Sequence, residues 1–369
     1  MAEYINAVNR LPSITWRWVK VNELYLDNLI IPEIKEYEYP YLKSTSHGNI
    51  EIKTEIKNME SFCPLKDEGK DYGVSEDLVN FAKKHYNSSL LIHAPKGEVL
   101  KDPIKIYHMM DNKNPNLIDN NIIIGEEDSE ITVIMEYNTE KNVRAFHNGI
   151  TRIYAKDGAK INIIKVQNMN EESNHFDSNM SIIGYNGEVN YISVEIGGKA
   201  SITNYVNNLN GTESKSQIKS IYLGRGDEIK DINYLMNQRG RRSRSNIETR
   251  GVLKDRAKKT FKATIDFKKG ASKSKGAEEE YAILLDPTVK ADAAPLLLCQ
   301  EDDVDGAHAA SAGRIDENKL FYIMSRGFNE KDARKLIIEA SFRPIIDEIV
   351  EDDLREKILD EIQRRLTNE

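Results

Sequence analysis

The sequence predicts a mainly-β chain: a β-solenoid core, a stack of short coiled strands, with a mixed N-terminal region before it and helices after it. Three observations carry this. From about Asn121 to Gln300 short alternating segments follow one another without a helical period: Ile192, Val194 and Ile196 alternate with Ser193 and Glu195, and Phe261, Ala263, Ile265 and Phe267 with Lys262, Thr264 and Asp266. Successive strand side chains point to opposite faces, so each segment offers one apolar and one wet face. Small polar breaks separate the segments, among them Lys156-Asp157-Gly158-Ala159, Asn186-Gly187-Glu188 and Gly224-Arg225-Gly226-Asp227, where glycine tolerates the positive φ of a tight turn. Finally, many segments open alike and the breaks lack a dominant Asn-Gly hairpin signature. A sandwich or a barrel would also bury these faces, and no exact repeat length emerges. A solenoid leaves open ends, which need a cap.

Composition narrows the function. At 369 residues the chain can hold a large core with appended pieces, and its net charge of −8 argues against general affinity for nucleic-acid phosphates. Two cysteines, Cys63 and Cys299, cannot form a disulfide framework or a four-thiolate metal site. The opening residues lack the basic start and apolar run of a signal peptide, and no apolar stretch approaches the roughly 20 residues that span a bilayer. A cytoplasmic protein that binds neither membrane nor nucleic acid is expected.

In chain order, residues 1–95 form the mixed region. Trp16 and Trp18 are expected to anchor it by burying large apolar area, the alternative being an exposed aromatic partner site. Ser75 caps a short helix with Leu78, Val79 and Phe81 on its apolar side, and His85 on that helix reads as a surface histidine. The core spans residues 96–300, with residues 108–120 as an irregular loop ahead of the strand array. Inside it, the basic run Arg239-Gly240-Arg241-Arg242-Ser243-Arg244 lacks the interleaved aromatics of a nucleic-acid surface and reads as a solvated edge or loop. Residues 301–369 form the helical domain. Asn329 caps a helix with Ala333, Leu336, Ile337 and Ala340 on one face, which Pro344 breaks or kinks. Asp352 or Asp353 starts a second, with Leu354, Ile358, Ile362 and Leu366 on one stripe. These helices either rest on the body or present a face to a partner.

Catalytic signatures are scarce. There is no Walker loop, no nucleophile elbow and no His-Glu-x-x-His pair. The histidines at 47, 85, 93, 108, 147, 175 and 308 show no metal-ligand spacing. Only His308 lies in a suggestive stretch, after Asp302, Asp303 and Asp305 and among small residues. A neutral imidazole is a good iron ligand that a carboxylate can orient, although a lone histidine also fits a structural role. Cys299 closes the apolar run Leu296-Leu297-Leu298 and reads as a small core residue.

The segments Arg250-Gly251-Val252-Leu253, Phe261 to Phe267, Ile283-Leu284-Leu285, Asp302-Asp303-Val304 through His308 to Gly313-Arg314-Ile315-Asp316, and Leu320-Phe321-Tyr322-Ile323-Met324-Ser325-Arg326-Gly327 together resemble the C-terminal half of the SufB/SufD family. The opening Leu11-Pro12-Ser13-Ile14-Thr15-Trp16-Arg17-Trp18 is similar to that of its SufD branch. The resemblance implies a right-handed parallel β-helix with a C-terminal helical domain. It also implies a non-enzymatic scaffold for iron–sulfur cluster assembly, working with a SufC-type ABC ATPase and a SufB-type subunit or a second copy of itself as dimer. By the same resemblance His308 aligns with a family histidine at the shared cluster site. The cluster would be held transiently at the subunit interface, and not stably by this chain alone. SufC docking would fall on the helices, at Leu336, Ile337, Leu354, Ile358 and Ile362. The chain departs from the family in three places. Gly306 stands where the family has a cysteine, Ala309 where SufB-like members carry a carboxylate, and the SufB-like cysteine near Glu278 to Glu280 is missing. These point to the SufD branch over a SufB-like homodimeric scaffold working with SufC alone. A β-helix polysaccharide lyase or esterase is the rival of another class.

Overall fold

The computed structural model describes residues 4–13, 20–44, 47–64 and 72–367. The expectation for Trp16 and Trp18 falls outside them. In the N-terminal region β1 (Tyr4–Val8) and β2 (Leu24–Ile30) form an antiparallel ribbon, and β3 (Glu51–Thr54) precedes α1 (Glu76–His85). As its sequence position requires, Ser75 caps α1, its side chain accepting from the Leu78 N–H at 3.2 Å. His85 is exposed, as expected.

The solenoid follows as β4 (Ser88–Ala94), β5 (Ile104–Met110), β6 (Asn116–Gly125), β7 (Glu130–Thr139), β8 (Phe146–Ala155), β9 (Lys160–Asn168), β10 (Asn174–Ile183) and β11 (Glu188–Glu195). It continues as β12 (Ala200–Leu209), β13 (Lys215–Gly224), β14 (Ile229–Gln238), β15 (Arg244–Leu253), β16 (Lys258–Phe267), β17 (Lys275–Leu284), β18 (Lys290–Cys299) and β19 (Asp305–Gly313). Even-numbered strands pair in parallel in one sheet, which β3 joins antiparallel at one edge, and odd-numbered ones form the other. Each coil therefore contributes one strand to each of two facing sheets, through about eight turns. The irregular loop expected over residues 108–120 is confined to 111–115: His108 lies within β5, and Asn116 to Asn120 open β6.

The sheets face each other across an apolar interior that includes Ile123, Val133, Ile163, Tyr205 and Phe261. Tyr191, Tyr205, Tyr234 and Phe261 climb it as successive edge-to-face rings, with centroids 5.0 to 5.9 Å apart. The outer faces are covered as well. α1 and the N-terminal region lie on the even sheet, over Ile122, Ile150 and Phe176. On the odd sheet lie α2 (Glu317–Ser325), α3 (Glu330–Ile346) and α4 (Asp352–Thr367), over Ile134, Ile164, Val194 and Ile221. Strands buried on both faces explain segments such as β8, in which no residue is exposed. The basic turn at Arg239–Arg244 is solvated, as expected.

Three expectations at the C-terminal end need correction. The strands run on to Gly313, beyond residue 300. Asp305–Gly313 does not read as a strand because the last coil has no neighbour to fill with apolar bulk. Pro344 does not break α3, which ends two residues later; at the last turn a missing N–H removes a single ladder bond. The stripe Leu354, Ile358 and Ile362 is not free. All three are buried in the cluster with the odd sheet's outer residues, whose apolar side chains would otherwise face water.

Candidate functional site

At the C-terminal end the stack stops at two unpaired strand edges, β18 in one sheet and β19 in the other. Strand alternation decides what faces into the open coil. A Cβ on Gly306 would lie 2.9 Å from both Leu297 Cδ atoms and 3.1 Å from Phe267 Cε2, so Gly306 faces inward, and with it His308, Ala310 and Ala312. The same contacts account for glycine there: a cysteine side chain would have to displace Leu297. His308 points into the solenoid yet is exposed, because no further coil stacks on it. Cys299 ends β18 opposite Phe267 and is exposed for the same reason, which corrects its assignment to the core.

His308 sits directly opposite Glu278 of β17 in parallel register. Glu278 faces the interior, is 2 % exposed, and neither of its carboxylate oxygens has a hydrogen-bond partner. Burial first, and the charge of Glu280 second, push its carboxyl up to about 8. Glu280 is itself engaged: it accepts from Lys259 Nζ at 2.6 Å and from the Tyr222 hydroxyl at 2.9 Å. Two of the acidic residues ahead of His308, Asp303 and Asp305, are engaged elsewhere. Asp303 accepts from the Ser272 hydroxyl at 3.0 Å, and Asp305 pairs with Lys275 at 3.1 Å.

A second feature lies on the outer flank. Between the odd sheet (Arg250, Tyr281) and α2 and α3 (Tyr322, Ile323, Leu336, Ile337) runs a groove of about 870 Å³. Leu336 is 39 % exposed and Ile337 is half-buried; Phe321 and Tyr322 on α2 are more exposed still. Thus Leu336 and Ile337 come together in the groove, while Leu354, Ile358 and Ile362 turn away from solvent onto the sheet.

Sequence spacing missed one cluster. His147 and His175, 28 residues apart, stack on adjacent coils with their Nδ1 atoms 2.7 Å apart, and His147 Nε2 is 2.7 Å from Asp119 Oδ1. The Tyr137 hydroxyl donates to Asp119 Oδ2 at 3.1 Å, and His108 stacks on the Tyr137 ring. Burial lowers His108 to about 4 and holds His175 well below the usual imidazole range. It would raise Asp119, but the adjacent His147, then His108 and Lys165, outweigh it and depress that carboxyl. Apart from His108 Nδ1, which has no partner, these groups satisfy one another in a closed interior, which makes them a structural network. Among the described residues no three histidine, cysteine or acidic side chains converge as metal ligands. The signal that would have revealed the cluster was the coil length itself.

Comparison with known proteins identifies the family. The family model for the SUF system FeS cluster assembly SufBD core domain matches residues 108–341. The iron-sulfur cluster assembly protein SufD of Bacillus subtilis is 25% identical over 282 residues, 76% of this chain and 64% of the relative. SufD of Escherichia coli is 27% identical over 240 residues, 65% and 57% of the two chains, and SufB of B. subtilis 21% over 265 residues, 72% and 57%. The matched segment thus spans less than two thirds of each of these relatives. With the family model covering most of the solenoid and the start of the helices, the chain belongs to the SufBD family of the SUF iron–sulfur cluster assembly system.

Proposed function

We propose that this chain is a SufD-like, non-catalytic subunit of an iron–sulfur cluster assembly scaffold in the cytoplasm, acting with a SufB-type chain and a SufC-type ABC ATPase. The observation that carries the reading is the uncapped last coil, which leaves the outer edge of β19 unpaired with His308 exposed on that strand. A free strand edge is a ready template for pairing with another chain, and a second β-helix continued on it would enclose His308. The cluster is then cargo, held at the junction and passed on. For the ATPase, the exposed candidate is the Leu336 flank of the groove, since α4 spends its apolar stripe on the body.

Co-expression with SufB-type and SufC-type proteins and size-exclusion chromatography test this. A stable ternary complex is expected. Leu336→Glu should release the ATPase and leave the SufB-type pairing intact. A chain that elutes alone beside both partners would overturn the reading; elution as a homodimer would replace the SufB-type partner with a second copy.

A further inference from the structure

The interior of the last two coils holds a buried acid that the fold does not use. Buried polar groups are nearly always hydrogen-bonded, and a carboxyl left without a partner is destabilising unless something else satisfies it. The buried cation Lys259 is committed to Glu280, two residues along on the same inward face. What lies opposite it, one strand away on the same inward face, is the exposed imidazole of His308. In-register neighbours on parallel strands stand about 4.8 Å apart, so a buried carboxylate lies beside an imidazole that faces the open end of the solenoid. An oxygen and a nitrogen donor together suit divalent first-row metals, ferrous ion among them.

We infer that Glu278 and His308 together form a two-donor half-site for ferrous ion on this chain, with Glu278 a direct ligand. The identity of the metal rests on the scaffold reading above; the pairing of the donors rests on the strand register alone. Glu278 supplies from the penultimate coil a carboxylate where Gly306 and Ala309, beside His308 on β19, supply none. The half-site is open on the side where a partner would add the remaining ligands.

The test uses the full chain and ferrous ammonium sulfate under anaerobic conditions, with calorimetry for affinity and proton NMR for paramagnetic broadening of the His308 ring signals. Binding of one ferrous ion per chain is expected, weakened at least tenfold in His308→Ala and in Glu278→Gln. Glutamine is close in size to a buried neutral carboxyl, so Glu278→Gln should retain the parent melting temperature; Glu278→Asp, which keeps the carboxylate, should bind more tightly than Glu278→Gln. Wild-type affinity in Glu278→Gln, or no broadening of His308 in the parent chain, would overturn the half-site. Neither result would touch the scaffold reading, which fails only if the partners do not associate.

Discussion

Replacing Ile358 by alanine tests whether the last helix is part of the body. Ile358 is 1 % exposed on α4 and shares its cluster with Leu354, Leu359 and Ile362 and with Ile134 and Ile164 of the odd sheet. The substitution deletes three buried carbons, about 0.8 kcal/mol each by transfer, and the cavity left behind brings the cost into the range of roughly 2–5 kcal/mol. The polar ties that remain sit near the helix flanks: Lys357 with Glu136, and Arg365, which donates to Asn168 Oδ1 and to the Met169 carbonyl, both at 2.9 Å. They orient α4 without replacing lost apolar contact. If the helix opens separately from the strands, a loss of about 3 kcal/mol raises amide exchange across residues 352–367 on the order of a hundredfold, with the strands unchanged. Hydrogen–deuterium exchange by mass spectrometry reads this directly. Exchange in α4 within a few-fold of the parent would refute the seating of the helix through this stripe and restore the stripe as a free surface.

Two further outcomes follow from the interior. Burial raises Glu195 from 4.5 to about 7 in the folded chain, so its protonated form is favoured there. The contribution is complete below pH about 4.5 and is lost as pH rises to about 7, on the order of 3 kcal/mol in total. Glu195→Gln should flatten that portion of the denaturant-derived stability profile, and an unaltered profile would refute the assignment. Gly251→Ala places a methyl 1.8 Å from Tyr222 Cζ, inside a fully buried ring whose hydroxyl serves Glu280; a loss of 1–3 kcal/mol or more is expected, read as a melting temperature several degrees lower, against which an unchanged melt would count.

What the sequence disclosed, and what it withheld, separates along physical lines. Local chemistry was legible: alternation in Phe261–Phe267, the caps Ser75 and Asn329, the four-residue stripe of α4. Each depends on neighbours within a turn or two of chain. Coil period was not, because the register advances from Asn174 to Ala200 in one turn and from Lys258 to Lys290 in another. Without a constant period, residues 28 apart give no hint that His147 meets His175, or that Glu278 lies beside His308. The stripe Leu354, Ile358, Ile362 shows that one face of a helix must be covered, but not by what. The missing half of that inference was in the strands, where Phe146–Ala155 has no wet face at all, so something had to cover the sheets from outside.

The candidate site follows from where stacking stops. Inward positions of the coils between the two ends are filled from both neighbours, and such a coil cannot present an imidazole to solvent. In the last coil the inward residues around His308 are Gly306, Ala310 and Ala312, which expose little apolar area when left uncovered, so the open end costs the isolated chain little hydrophobic free energy. Bulky residues there would have demanded a cap from this chain's own helices, and a capped end would hide both His308 and the strand edges. Small residues keep the end tolerable alone and available to a partner, and the same stop leaves Glu278 one coil below the surface, near enough to act and too buried to find water.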